Sequence, residues 1–304
     1  MVRINRNTIG TEVARSGVTT GESDSPVLSV EFFPPKTEQG VAILAKTRDE
    51  LAAIAPAYAS VTFGAGGTTR SGTMETVIAI LREDPFPAAP HISCIGATRT
   101  QIAELLDRYL DLGVRRVVAL RGDLPSGSGS AGGDFRYANE LVSFIRETTG
   151  DRFIIEVGCY PEMHPQALSV AADLENFRRK VSAGADAAIS QYFFNPDAYF
   201  RFVDDVTALG VTIPIVPGVM PITNHTQLAR FSDACGAEIP RWIRKRLEGY
   251  GDDLEAIRAF GEEVTIRLVG TLLEGGAPGV HFYTMNRSGP TLAVARALGL
   301  GPDH

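Results

Sequence analysis

Residues 152–194 read RFIIEVGCYPEMHPQALSVAADLENFRRKVSAGADAAISQYFF, and this stretch decides the fold. Its two ends, RFIIEVGCY at 152–160 and AAISQYFF at 187–194, are short apolar runs rich in β-formers. Each predicts a strand covered on both faces, as in a parallel sheet. Between them DLENFRRK (173–180) carries helical spacing, and Gly184 stands where a helix hands over to a left-handed residue. Strand, helix, strand in that order predicts a β–α–β unit.

The alternation extends outward in both directions. Strand patterns recur as VLSVEFF (27–33), YASVTFG (58–64), APHISCI (89–95), RRVVALRG (115–122), IPIVPGVM (213–220) and GVHFYTMN (279–286), which with the first two makes eight. Helices lie between them. In TRTQIAELLDRYLDLG (98–113) the apolar residues Ile102, Leu105, Leu106 and Leu110 share one face, and Gly113 and Gly210 repeat the terminating role of Gly184. Eight units predict a closed (β/α)8 TIM barrel, whereas five or six would predict an open doubly wound sheet. Residues 224–275 add helices between strands seven and eight. A flexible polar leader at 1–26 followed by one barrel domain over 27–304 is the expected organisation.

Composition narrows the function. A chain of 304 residues that is 44% hydrophobic can bury a core of its own, and a formal charge of −7 lacks the basic footprint of nonspecific nucleic-acid binding. No run of 18 apolar residues or secretory h-region occurs, so the cytoplasm is the expected location. Cys94, Cys159 and Cys235 are scattered, which predicts neither a disulfide framework nor a thiolate cage. The histidines (91, 164, 225, 281, 304) show no ligand spacing, so no metal is expected. GSGSAG at 127–132 matches a dinucleotide fingerprint but is separated from its strand, and reads as a loop.

In this barrel chemistry sits at the C-terminal ends of the strands. There the sequence places Glu31, Thr62, His91, Arg121 with Asp123, Tyr160 with His164, Gln191 and Arg287. Glu31, between Val30 and Phe32–Phe33 and ahead of two prolines, is expected to have a raised pKa suited to proton donation. Gly122 lets the backbone approach a ligand, and Arg121 offers a planar cationic fork. Asn176, Arg179 and Lys180 form a second polar and cationic group on one helix, placed to grip a diphosphate or ribose.

Together SVEFFPPK, SVTFGAGG, APHISCI, ALRGDLPSGSG, CYPEMHPQA, ADLENFRRKVSAGADAAISQYFF, PGVMPITN and HFYTMNR resemble, in order over about residues 28–300, the catalytic domain of methylenetetrahydrofolate reductases. The resemblance implies an α/β barrel, a noncovalent FAD and a ping-pong reaction. NADH or NADPH reduces the flavin, and the flavin reduces 5,10-methylenetetrahydrofolate to 5-methyltetrahydrofolate. It assigns Glu31 as general acid at folate N10, and Asp123 as the carboxylate that stabilises the 5-iminium cation. Substrate contacts are implied for Asp123, Gln191, Gln227, Phe231 and Arg287. FAD contacts are implied for Thr62, Phe63, Ala65, His91, Arg121, Gly122, Asp123, Ala138, Tyr160, His164, Ala167, Asp173, Asn176, Arg179 and Lys180. Phe63 stands where a tyrosine is common, His225 where an aromatic is common, and residues 66–72 and 130–136 depart from the pattern. The size is similar to the bacterial type, which implies NADH and no regulatory domain. Homo-oligomerisation is open. Alternatives are direct hydride transfer without flavin in the same family, a barrel lyase acting on a phosphorylated substrate, and a carrier without catalysis.

Overall fold

The computed structural model describes residues 26–63, 70–122 and 132–302. The strands are β1 (Val27–Phe32), β2 (Tyr58–Val61), β3 (Ala88–Ser93), β4 (Arg116–Leu120), β5 (Ile154–Cys159), β6 (Ala187–Ser190), β7 (Ile215–Val216), β8 (Gly218–Val219) and β9 (Gly279–Tyr283). All pairings are parallel, in the order β7-β6-β5-β4-β3-β2-β1-β9-β8. β7 and β8 are two halves of one stave interrupted at Pro217, whose ring nitrogen has no hydrogen to give a ladder. β7 bonds β6 and β8 bonds β9, so the ring closes as the expected (β/α)8 barrel.

Helices α1 (Glu38–Leu51), α2 (Arg70–Glu83), α3 (Arg99–Asp111), α4 (Ala138–Thr149), α5 (Val170–Ser182) and α6 (Pro196–Ala208) follow the first six strands. The expected extra helices are α7 (His225–Cys235), α8 (Arg241–Tyr250) and α9 (Leu254–Glu274), and α10 (Gly289–Ala297) follows β9. Local chemistry sets the helix ends. Thr98 and Gln101 form a reciprocal capping box at the start of α3, with bonds of 3.2 and 3.0 Å. Gly113, Gly184 and Gly210 take positive φ just past α3, α5 and α6, as the sequence predicts.

The strands have two unlike faces. Val30, Phe32, Val61, Ile92, Val117, Ala119, Ile155, Val157, Val280 and Phe282 belong with Ile102, Leu106, Leu141 and Ile145 of the helices to one apolar core. Burying each of the larger side chains contributes about 1.5–3 kcal/mol. The alternate positions face the lumen and are largely polar: Ser29 and Glu31, Tyr58 and Ser60, His91, Glu156, His281 and Tyr283. Cross-lumen contacts fix that direction, since Tyr58 of β2 donates to Glu156 of β5 at 2.8 Å and Tyr283 of β9 donates to the Ser190 carbonyl of β6 at 2.7 Å. A second apolar cluster joins Tyr192, Phe194, Met220 and Ile222 to Leu228, Ile243, Leu247, Ile257 and Phe260 of α7–α9. It seats the added helices over one side of the mouth. Residues 1–25, which hold almost all of the expected leader, lie outside the described residues.

Candidate active site

Glu31, on the last turn of the pleat in β1, enters the lumen near its C-terminal mouth, with its side chain 18% exposed. Its Oε2 stands 3.3 Å from Nε2 of His91 on β3 and 3.7 Å from Nε2 of His281 on β9. Ser60 Oγ donates to the same oxygen at 3.3 Å. Behind it, Ser29 Oγ lies 2.7 Å from Nδ1 of the fully buried His281, and Thr284 Oγ1 donates to the Glu31 carbonyl at 2.6 Å. His91 Nε2 is buried and, among the described residues, has no aligned hydrogen-bond partner despite that short approach.

This geometry corrects the expected pKa. Burial is the largest single influence and pushes the Glu31 carboxyl up, but the imidazoles of His281 and His91 beside it together outweigh it and hold it down, to about 2. The reason is strand parity: Val30 and Phe32 lie in the outer core and Phe33 is exposed, so the apolar sequence neighbours do not surround the carboxyl. The opposite effect falls on Tyr283, whose phenol is pushed well above its ordinary range by burial and by the Glu31 charge.

A second group occupies the rim of β4 and β5. Arg121, just past β4, donates to Gln166 Oε1 at 2.5 Å and to the Gly122 carbonyl at 3.1 Å. Tyr160, just past β5, meets His164 edge-on with ring centroids 4.5 Å apart. Asp173 of α5 accepts from the His164 backbone at 2.8 Å, and the Ala167 backbone donates to the His164 carbonyl at 2.9 Å. Arg121, linked through Gln166, and Tyr160, His164, Ala167 and Asp173 therefore form one assembly. Gly122 differs from its expectation. Its φ is +86°, and a Cβ there would lie 2.0 Å from Ser93 Oγ, so the close approach is to β3 and is needed without any ligand.

The cationic residues of α5 divide. Lys180 turns inward and donates to the Gly158 carbonyl of β5 at 2.5 Å, and burial lowers its ammonium pKa. Arg179 turns outward, 58% exposed, and pairs with Glu175 at 3.2 Å; Asn176 is exposed as well. Elsewhere on the mouth, Gln191 follows β6 and folds back to accept from the Tyr192 backbone at 2.9 Å. Gln227 and Phe231 lie one turn apart on α7, with Arg287 beyond β9 and Gln227 and Arg287 lining one cavity. Thr62 and Phe63 follow β2, and Ala138 opens α4. Ala65 and Asp123, with most of GSGSAG and His304, lie outside the described residues.

Sequence reasoning missed Ser29, Ser60, His281 and Tyr283. The signal was available as polar residues spaced two apart in otherwise apolar strands: SVE, YAS and HFY. It missed Glu156 too, which is buried among Tyr58 (2.8 Å) and Arg116 (2.7 Å) lower in the lumen. Cys94 and Cys159 are buried, and burial raises their thiols to about 11 and about 12. Among the described residues, no group of three or more His, Cys, Asp or Glu is arranged for a metal, and no helix is long and apolar enough to cross a membrane.

Comparison with known proteins gives a consistent result. The family model for methylenetetrahydrofolate reductase matches residues 18–299. The 5,10-methylenetetrahydrofolate reductases of Salmonella typhimurium and Escherichia coli are each 38% identical over 275 residues, covering 90% of this chain and 91% of theirs. The Arabidopsis thaliana methylenetetrahydrofolate reductase (NADH) 1 is 34% identical over 92% of this chain and 49% of its own. A Clostridium thermocellum protein described as binding two copies of 5-methyl-5,6,7,8-tetrahydrofolic acid has the same fold, with a TM-score of 0.65 at 17% identity over 91% of this chain and 94% of that one.

Proposed function

The chain belongs to the methylenetetrahydrofolate reductase family, and from that premise we propose that it reduces its folate through a noncovalent FAD, with NADH as hydride donor and Glu31 as general acid. Membership makes it an oxidoreductase acting on methylenetetrahydrofolate and sets aside the barrel lyase and the carrier. The plant relative named for NADH supports that donor over NADPH.

The residues present fit a dinucleotide flavin. The assembly of Arg121, Tyr160, His164, Ala167 and Asp173 joins hydrogen-bonding, aromatic and cationic groups on one stretch of rim. Lys180 adds an inward ammonium at the same strand end, and His91 brings a buried ring nitrogen without an aligned partner. Thr62, Phe63, Gly122 and Ala138 complete the rim around them, and Ala65 and Asp123 are assigned to the cofactor with them by the family resemblance. Asn176 and Arg179, turned to solvent, are left for the outer end of the cofactor, where an Arg179–Glu175 pair is cheaply exchanged for phosphate. When bound, FAD supplies a two-electron carrier between NADH and the folate.

What the chain itself does is hold and move one proton. Glu31 is a carboxylate in the ligand-free site, with two imidazoles within 4 Å of one oxygen. A folate filling the mouth removes water from that oxygen and strengthens the burial effect that already opposes its charge. The proton shared with His281 or His91 then shifts toward the carboxyl and is delivered to folate N10. The ring opens to the 5-iminium cation, which accepts hydride. Gln191 binds the pterin or the nicotinamide amide, Phe231 stacks on the ligand, and Gln227 and Arg287 hold its far end. Asp123 stabilises the cationic intermediate by charge.

The observation that carries this reading is Glu31 in the mouth, one carboxylate oxygen between two histidines. Its test is the spectrum of the purified protein. A yellow flavin absorbance that bleaches with NADH and returns on adding methylenetetrahydrofolate is expected. A colourless protein that couples NADH oxidation to folate reduction would replace it with direct hydride transfer.

A further inference from the structure

Strand pairing between β1 and β9 ends at Glu31 and Tyr283. Beyond that pair the chain leaves strand geometry. Met285 and Asn286 both have φ of +53°, a left-handed conformation that asparagine tolerates and methionine seldom enters. One side chain then continues the seam where the backbone has turned away. Asn286 Oδ1 accepts from the Phe33 backbone at 3.0 Å, and Asn286 Nδ2 donates to the Phe33 carbonyl at 2.8 Å. A primary amide, with one acceptor and one donor side by side, can serve both groups of a peptide at once, and the pair of bonds fixes which way the amide faces.

The clamp is itself held. Asn286 is buried, and its backbone N–H donates to Thr284 Oγ1 at 3.2 Å, the same hydroxyl that donates to the Glu31 carbonyl. Its carbonyl accepts from Thr47 Oγ1 of α1 at 3.1 Å, and the Arg287 N–H closes the turn on the Thr284 carbonyl at 3.0 Å. Glu31, two residues before Phe33, and Arg287, the residue after Asn286, therefore belong to one hydrogen-bonded unit. Left-handed non-glycine residues persist where their surroundings over-determine them, and they gather at functional sites. We propose that Asn286 is a positioning residue for the folate half-reaction: through Phe33 and Thr284 it sets Glu31 in register with Arg287. This rests on the proposed function, from which the roles of those two residues are taken. For a folate held at its far end by Arg287, the reach from Glu31 to N10 depends on how the ends of β1 and β9 are spaced, and the Asn286 amide sets that spacing. Reduction of the flavin by NADH needs no proton from Glu31 and is indifferent to it.

The test follows the two half-reactions separately, by stopped flow on the flavin-loaded full chain, in wild type, Asn286→Gly and Thr47→Val. Asn286→Gly removes the clamp while permitting the left-handed turn. It is expected to slow the folate half-reaction by about 10- to 100-fold, the scale of a displacement of about 1 Å at a reacting group, with flavin reduction by NADH nearly unchanged. In a Glu31→Gln background the same substitution should slow the folate step little further, because the group it positions is already disabled; a merely structural role would add its full effect. Thr47→Val loses one hydroxyl at the edge of the unit and should show the same selectivity at smaller size. It decides the question if Asn286→Gly does not fold. Equal slowing of both half-reactions, no slowing of either, or full additivity with Glu31→Gln overturns the positioning role and leaves the proposed function standing. A wild type that is colourless, or that does not reduce methylenetetrahydrofolate, brings down the proposed function and this role with it.

Discussion

Two glutamates point into the same lumen, Glu31 near the mouth and Glu156 lower down, and their partners make them opposites. Glu156 is 1% exposed, and its Oε1 receives Arg116 at 2.7 Å and Tyr58 at 2.8 Å. Arg116 also lies over the Tyr58 ring, 4.4 Å from its centroid. A guanidinium cannot release its proton at any ordinary pH, so Arg116 has none to pass to Glu156. Glu31 is open to the mouth and faces imidazoles, the side-chain type that serves as a proton shuttle in enzymes. The lesson is that burial alone does not make a carboxylate reactive. A partner able to exchange protons does.

Exchanging function for stability at the two sites would break or sharpen that contrast. The largest effect is expected for Glu31→Gln, which should slow the folate half-reaction by about 10²- to 10⁴-fold, the range for a lost general acid, and leave reduction by NADH nearly intact. Stopped-flow measurement of each half-reaction checks this, and equal loss in both would take Glu31 out of its role. Glu156→Ala should do the reverse. It strands Arg116 and costs about 3–5 kcal/mol of stability, read from the urea midpoint, while the folded fraction keeps its half-reactions. Asp123→Asn, which removes charge without removing a proton donor, should slow only the folate half-reaction, by about 10- to 1000-fold.

The smallest effect is one of pH. Because the folded Glu31 carboxyl is held below its ordinary 4.5, down to about 2, its ionised form stabilises the native state above pH 4.5. That contribution is lost as pH falls from 4.5 toward 2. Urea unfolding of wild type and Glu31→Gln at pH 7, 5 and 4 should therefore show the wild type's advantage shrinking only at the lowest of these. An advantage that grows on acidification would mean the carboxyl is raised, and the contrast with Glu156 would disappear.

The ring of eight staves was readable because it depends on local pattern, each strand and helix announcing itself within about a dozen residues. So were Glu31, His91, Arg121, Tyr160 and Gln191, which the strand-end rule selects without any knowledge of register. What escaped depends on which face of a strand looks inward. Glu156 meets Tyr58 across 98 residues of sequence and the width of the lumen, and His281 meets Ser29 across 252. The sign of the Glu31 shift was misread for the same reason, since adjacency along a strand places neighbours on the opposite face. Arg179 was paired with Lys180 by proximity in sequence, yet successive helical residues diverge by about 100°, and only Lys180 faces β5.

The interruption at Pro217 reaches further than closure. The Pro217 carbonyl receives the His281 backbone at 3.0 Å, so the peptide that latches the two ends of the sheet together also anchors the imidazole beside Glu31. Any loosening of this seam, where a stave is split between two neighbours, would change the spacing between a carboxylate and the imidazole beside it. The stave with only two residue pairs on either side is thereby joined, through one peptide, to the imidazole beside Glu31.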